Sequence, residues 1–278
     1  MESSRTALPR RTVTPANSMT AATVVTLCRS VSVSDVLPAS VRLAWWGTAW
    51  LRGQVVADQL IDAVVGEDAT HLLGGPDASA EPLVTGLGAL RARGADAIGA
   101  AFPTDGDLVG LGGPAAFNGA ALEAGEAALV LDAAAFVVSG LVPERVGAAV
   151  TWRPMVAERR QLPDLGEADR ELRTALLESA ETLARLEVAR WRPEVADRLM
   201  NLRHRPTVVA PPGVPQRCAD LAARGLQALE IAALALEDDG GALTAHDADA
   251  RRAAIAPLGR AGRRALVAAA SPEVWPPG

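Results

Sequence analysis

Between Val41 and Val65 apolar residues recur at steps of three and four: Trp46, Ala49, Trp50, Gly53, Val56, Ala57, Leu60, Ile61 and Val64. That period lines one face of a helix. Gly53 falls inside the pattern and costs about 1 kcal/mol against Ala in a helix interior, so the stretch is predicted as two helices in a hairpin. "EPLVTGLGALRARG" predicts a third helix stopped by Gly94, and "ADAIGAAF" a strand ending at Pro103. Downstream of a glycine-rich loop and the helix it opens, "ALVLD", "AFVVSGLV" and "VGAAVTW" predict strands of a small sheet.

The period changes after "RPMVAERRQLPDLG". From Asp164 to Trp191 it places Leu172, Leu176, Ala180, Leu183 and Leu186 on one side of a helix, with acidic residues early, where they suit the helix dipole. Pro193 suits the first turn of a shorter helix carrying Val195, Leu199 and Leu202. "PPGVPQ" reads as a turn before a long helix to about Glu237, closed by "DDGG". Thr244 and Asp247 make an N-cap pair for the last helix, which Pro257 is expected to kink or split.

The predicted fold class is therefore α+β: a mixed α/β domain at 36–160 with a small sheet, and an antiparallel helical bundle at 165–271 packed on it. Residues 1–35 mix Ser, Thr, Arg and Pro with no sustained period and read as a disordered arm, in which Met19 competes with Met1 as the start.

At 278 residues and 49% hydrophobic content the chain has ample material for a core. All 27 basic residues are Arg and Tyr is absent, a bias of GC-rich genomes. A net charge of -6 and a pI near 5.2 argue against a general nucleic-acid binder. Cys28 and Cys218 lie far apart without a CxxC spacing, the pattern of thiols in a reducing cytoplasm. Arg10 and Arg11 lack the apolar stretch of an export leader, and the longest apolar run, 16 residues containing Asp132, is below the roughly 20 needed to cross a bilayer. The expectation is a soluble, cytoplasmic protein with no membrane contact.

Three segments, "AWWGTAWLRG", "GPAAFNGAALEAGEA" and "RWRPEVAD", carry a resemblance. The chain beyond about residue 36 resembles a family of functionally uncharacterised proteins from GC-rich actinobacteria. The resemblance implies no activity and brings no catalytic residues with it.

The best functional lure is "GLGGPAAFNGAALEAGEAAL" at 110–129, glycines feeding a helix. It lacks the Lys of GxxxxGK[ST], and Gly110, Gly112 and Gly113 do not satisfy GxGxxG. It is read as a tight turn and helix start; the phosphate reading survives only if folding brings an arginine over the loop. Asp105 and Asp107 precede it at the end of a predicted strand, a place where α/β folds put ligands. With Asn118 they are the candidate ligand-binding set, joined by Glu123 and Glu126 if that helix faces back over the loop; a solvated turn is the competing reading. His71, His204 and His246 are isolated, so no metal site is predicted, and no cofactor. His71 reads as a turn residue or the first residue of a strand.

Trp45, Trp46 and Trp50 spread over a broad helical face and are the candidate partner-binding residues, with core packing as the competing reading. Arg252, Arg260, Arg263 and Arg264 fall along the last helix, where pairing with the acidic helix at 167–187 is expected. With no catalytic constellation visible, the reading is a noncatalytic cytoplasmic interaction or regulatory protein with a protein partner of unknown identity. The alternative is a small-molecule binding protein or enzyme using the loop 103–118.

Overall fold

In a computed structural model, residues 37–75, 79–185, 208–237 and 245–276 are described. The arm, the helix opened by Pro193, His204, and the Thr244–Asp247 cap with His246 lie outside the described residues or side chains. The first elements are α1 (Ala39–Leu51), α2 (Ala57–Val65), β1 (Thr70–Gly74), β2 (Ala80–Pro82), α3 (Leu83–Ala92) and β3 (Ala95–Ala101). They are followed by α4 (Ala115–Ala124), β4 (Ala127–Asp132), β5 (Val137–Val146) and β6 (Ala149–Met155). Among the described residues the helices that follow are α5 (Leu165–Arg185), α6 (Gln216–Glu237) and α7 (Ala245–Ala269), with a short 3-10 turn at Pro272–Val274.

The protein is α+β. The six strands among the described residues form one sheet in the order β2-β1-β6-β5-β4-β3, antiparallel except for the β1–β6 pair. The hairpin of α1 and α2 turns at Gly53, whose φ of 70° suits glycine. α7 runs through Pro257 as a single element, so the proline does not split it.

Two observations depart from the pattern reading. β1 and β2 are strands that no alternation announces: "THLLG" is short, and "AEP" contains a proline, tolerated because β2 is an edge strand. β4 is a near-continuous apolar run because both faces of the sheet are covered there. Ala128 and Val130 join Leu141, Ile98 and Trp45 in a core shared with Leu172, Leu221 and Leu266 of the three long helices. On the opposite face Ala127 and Leu129 pack with Phe117 and Ala121 of α4.

The outer edge of β3 is closed by two side chains and the backbone that follows α7. Thr48 Oγ1 accepts the Ile98 N–H at 2.9 Å and donates to the Ile98 carbonyl at 3.2 Å. Two residues along the strand, Ala100 N–H donates to the Ala270 carbonyl and Ala100 O accepts from Arg160. Unpaired strand edges invite pairing with other chains; these bonds remove the template and tie the sheet to the end of α7. No described helix is long and apolar enough to cross a membrane.

Candidate functional site

The glycine loop is built as a packing surface. A Cβ on Gly112 would lie 2.2 Å from the Arg159 carbonyl oxygen, so the segment at 157–160 rests directly on the loop backbone. Glu158 N–H donates to the Gly113 carbonyl at 2.9 Å, and Gly113 has a φ of 117° that an L side chain rarely adopts. Two of the loop's amides are already engaged: Gly113 N–H donates to Asn118 Oδ1 at 3.1 Å and Leu111 N–H to Leu108 O at 3.0 Å. Asn118 thus does face back from α4, but onto Gly113. Glu126 instead accepts the backbone N–H and hydroxyl of Ser40 and supports the first turn of α1, while Glu123 is exposed.

Substituting Gly112 by Ala therefore sets a methyl group against backbone, which cannot rotate away. A loss of about 1–3 kcal/mol is expected from the forced shift, measured as a lowered urea midpoint. Gly119 in α4 is the control: a Cβ there meets nothing within 4 Å, so Ala at that position should leave stability equal or raised. Equal midpoints for the Gly112 variant and wild type would contradict the packing.

Two arginines reach the loop with their guanidinium groups already engaged, Arg160 and Arg263. Arg160, whose side chain is 2% exposed, donates through Nη1 to the carbonyls of Ala100 at 2.7 Å and Gly110 at 3.2 Å. Its Nη2 donates to Ser271 Oγ at 3.0 Å and to Glu273, and Nε donates to Glu273 at 3.2 Å. Burial pulls this guanidinium below its ordinary pKa, and the Glu273 carboxylate opposes that pull. From α7, Arg263 Nη2 meets Asp107 Oδ2 at 3.4 Å. Asp107 closes a tight turn by exchanging two backbone bonds with Thr104, and Asp105 is exposed beside Gly106 at its tip. Among the described residues no three His, Cys, Asp or Glu side chains converge as a metal set.

The charge pairing along α7 differs from the expectation. Only Arg264 meets α5, through Glu171 at 2.7 Å; Arg263 goes to Asp107, and Arg252 pairs with Asp249 of its own helix. Arg260 is exposed and has no ion pair among the described residues. Antiparallel packing brings only one stripe of α7 over α5, and Arg263 and Arg264 are a step apart on the helix, so they reach different neighbours.

A polar cluster that the sequence did not single out surrounds His71, the second residue of β1. Trp152 Nε1–H donates to His71 Nδ1 at 3.1 Å, so the proton of the neutral ring sits on Nε2 and is donated to Asp68 at 2.9 Å. Asp68 also accepts from Arg42 at 2.8 Å and Arg145 at 2.9 Å, and Arg145 lies 3.8 Å from Glu126. Burial lowers the His71 pKa against the opposing pull of Asp68. Burial raises the Asp68 carboxyl, but the bonds from His71, Arg145 and Arg42 outweigh it and hold the group below its ordinary value.

A histidine whose folded pKa is depressed contributes stability that is complete above its unfolded value of about 6.5 and is lost as pH falls. Wild type is expected to lose urea resistance as pH drops from about 7 to about 5, with His71→Gln, which can accept from Trp152 and donate to Asp68, showing a flatter profile. Identical slopes for the two proteins would remove His71 as the cause.

The three tryptophans of α1 are placed differently. Trp45 is fully buried and donates Nε1–H to the Ala269 carbonyl at 3.1 Å. Trp46 and Trp50 are half-buried at the margin of the core, Trp50 under the Arg91 guanidinium at 5.5 Å. Cys218 is buried, and burial raises its thiol to about 11 against the pull of Arg217, leaving it protonated and unreactive at neutral pH.

α5 and α7 leave an open groove of about 580 Å³ between them. The buried Ala175 and Ala261 line it with Pro257, the Arg264–Glu171 pair lies along it, and Arg170, Arg260 and Glu178 stand exposed at its edge.

Residues 40–165 match a family model described as the Rv1486c-like protein, N-terminal domain, and residues 166–267 match the one described as its C-terminal domain. No curated protein and no solved structure matches the chain.

Proposed function

The chain belongs to the Rv1486c-like proteins, and we propose that it acts as a noncatalytic interaction protein of the cytoplasm, docking an acidic helical segment of a partner protein in the α5–α7 groove. The observation that carries this reading is the rim: Arg170 and Arg260 are exposed cations without an ion pair among the described residues, and they outnumber the one exposed carboxylate beside them, Glu178. Arg42, Arg160, Arg263 and Arg264 are by contrast each bound to an internal carboxylate. A groove between two helices takes an amphipathic helix through its apolar stripe, and rim charges select the partner and speed encounter. The exclusive use of Arg supports an actinobacterial origin, and the net charge of -6 weighs against nucleic acid as the partner.

The test is capture from the native host with wild type and with an Arg170→Glu/Arg260→Glu double variant of equal melting temperature. A partner held by wild type, eluted by salt and lost from the variant supports the proposal, all the more if its bound segment is acidic and helical. Recovery of the same proteins by both baits would overturn it.

A further inference from the structure

We propose that a second, smaller depression, beside the C-terminal turn, binds a short aliphatic monocarboxylate. This goes beyond the docking groove and rests on different residues. The cavity of about 220 Å³ lies where the β4–β5 turn, the segment at 159–162 and the 3-10 turn meet. Its apolar walls are Ala135, Val137, Leu162 and Val274. The β4–β5 turn is held in shape by Asp132, whose Oδ1 accepts the N–H groups of Ala134 and Phe136, both at 2.9 Å.

Charge decides the class of ligand. Arg160 and Glu273 both line the cavity, but they neutralise each other: Nε and Nη2 of Arg160 reach the carboxylate, and its other donors go to Ala100, Gly110 and Ser271. Arg159 is the remaining charge at the mouth, exposed and with no ion pair among the described residues. One unopposed guanidinium beside four apolar side chains favours a single carboxylate, which it can hold with two parallel bonds. With Arg160 already committed to Glu273, a second negative charge in the cup would find no counter-ion, so dicarboxylates and phosphate dianions are disfavoured.

Size sets the rest. Pockets for drug-sized ligands run from about 300 to 1,000 Å³; this one suits a body of about six to eight heavy atoms, such as a branched acid of four to six carbons. A ligand so small reaches a Kd of roughly 0.1–10 mM. Seated there, it would bridge the 159–162 segment, which rests on the glycine loop, to the turn that follows α7.

Isovalerate is the probe, titrated to about 20 mM into the full chain while methyl resonances of Val137, Leu162 and Val274 and the melting temperature are followed. Saturable shifts at those methyls with a raised melting temperature are expected, with affinity at least about tenfold weaker in Arg159→Gln. Isovaleramide, the same body without the charge, should bind comparably weakly, as should succinate and inorganic phosphate. Because Arg159 is exposed, the variant is expected to fold as wild type does, and Arg159→Lys, which keeps the charge without the fork, should fall between the two. Absence of saturation by isovalerate, equal binding by the amide, or unchanged affinity in Arg159→Gln would each overturn the proposal. The Arg170→Glu/Arg260→Glu variant should bind isovalerate as wild type does, so failure of the groove and failure of this pocket are separate results.

Discussion

Replacing Arg160 with Met is expected to destabilise the protein by about 3–5 kcal/mol, the range for breaking one side of a buried ion pair. The substitution leaves Glu273, whose side chain is 15% exposed, without its counter-ion, and strips a donor from the carbonyls of Ala100 and Gly110. Those carbonyls belong to the covered edge of β3 and to the glycine loop, so the loss falls at the joint between sheet, loop and C-terminal turn. Arg160→Lys keeps the charge but cannot reproduce the fork that serves Glu273, Ser271 and two carbonyls, and should recover only part of the stability. The measurement is urea unfolding of the single variants and of Arg160→Met/Glu273→Leu. The double variant should be milder than the sum of the singles, because it removes the stranded charge as well as the pair. A single variant within about 1 kcal/mol of wild type would show that this cluster is not the joint.

Trp45→Ala is expected to cost about 3–5 kcal/mol, the range for truncating a large buried aromatic. Trp45 has no exposed area, packs between α1 and the sheet, and donates to Ala269 O at the last turn of α7, a carbonyl that Trp275 Nε1–H also reaches at 3.0 Å. The variant therefore opens a cavity and removes one of the two donors to that helix end. Trp45→Phe, which keeps most of the apolar area, should lose mainly the bond, about 1–2 kcal/mol. Trp46→Ala and Trp50→Ala, at half-buried positions, should cost less than Trp45→Ala. Thermal and urea unfolding of the four variants test the order; a Trp45 variant no worse than the Trp50 variant would contradict the packing.

The tryptophans illustrate what a sequence period can carry. Steps of one and four placed all three residues over one broad face, and the helix is where the pattern put it. Which indole is enclosed depends on β3 and on α7, whose Ala269 lies 224 residues from Trp45 along the chain. The glycine loop is a similar case. Its composition announced a turn and a helix start, but the reason for Gly112 is the Arg159 carbonyl lying against it. Arg159 and Arg160 are neighbours in "AERRQLP", one exposed at a pocket mouth and the other wholly enclosed, and nothing local distinguishes them. The signal that could have suggested the His71 cluster, a histidine three residues after an acid, is too common to be read without Trp152, 81 residues on.

The sequence by itself determined the α+β class, the hairpin of α1 and α2, β3 to β6 in outline, and α5 and α6, because each rests on a period or a breaker within a few residues. It also determined how the chain is charged. Only the tertiary structure decided the parallel pairing of β1 with β6, the closure of the β3 edge by Thr48 and Arg160, the partner of each arginine on α7, and which candidate groups remain available to a ligand. The physical reason is that burial and hydrogen bonding are properties of surroundings. Segments brought together by a shared core determine whether a charged side chain has a partner, and that core assembles from residues far apart along the chain.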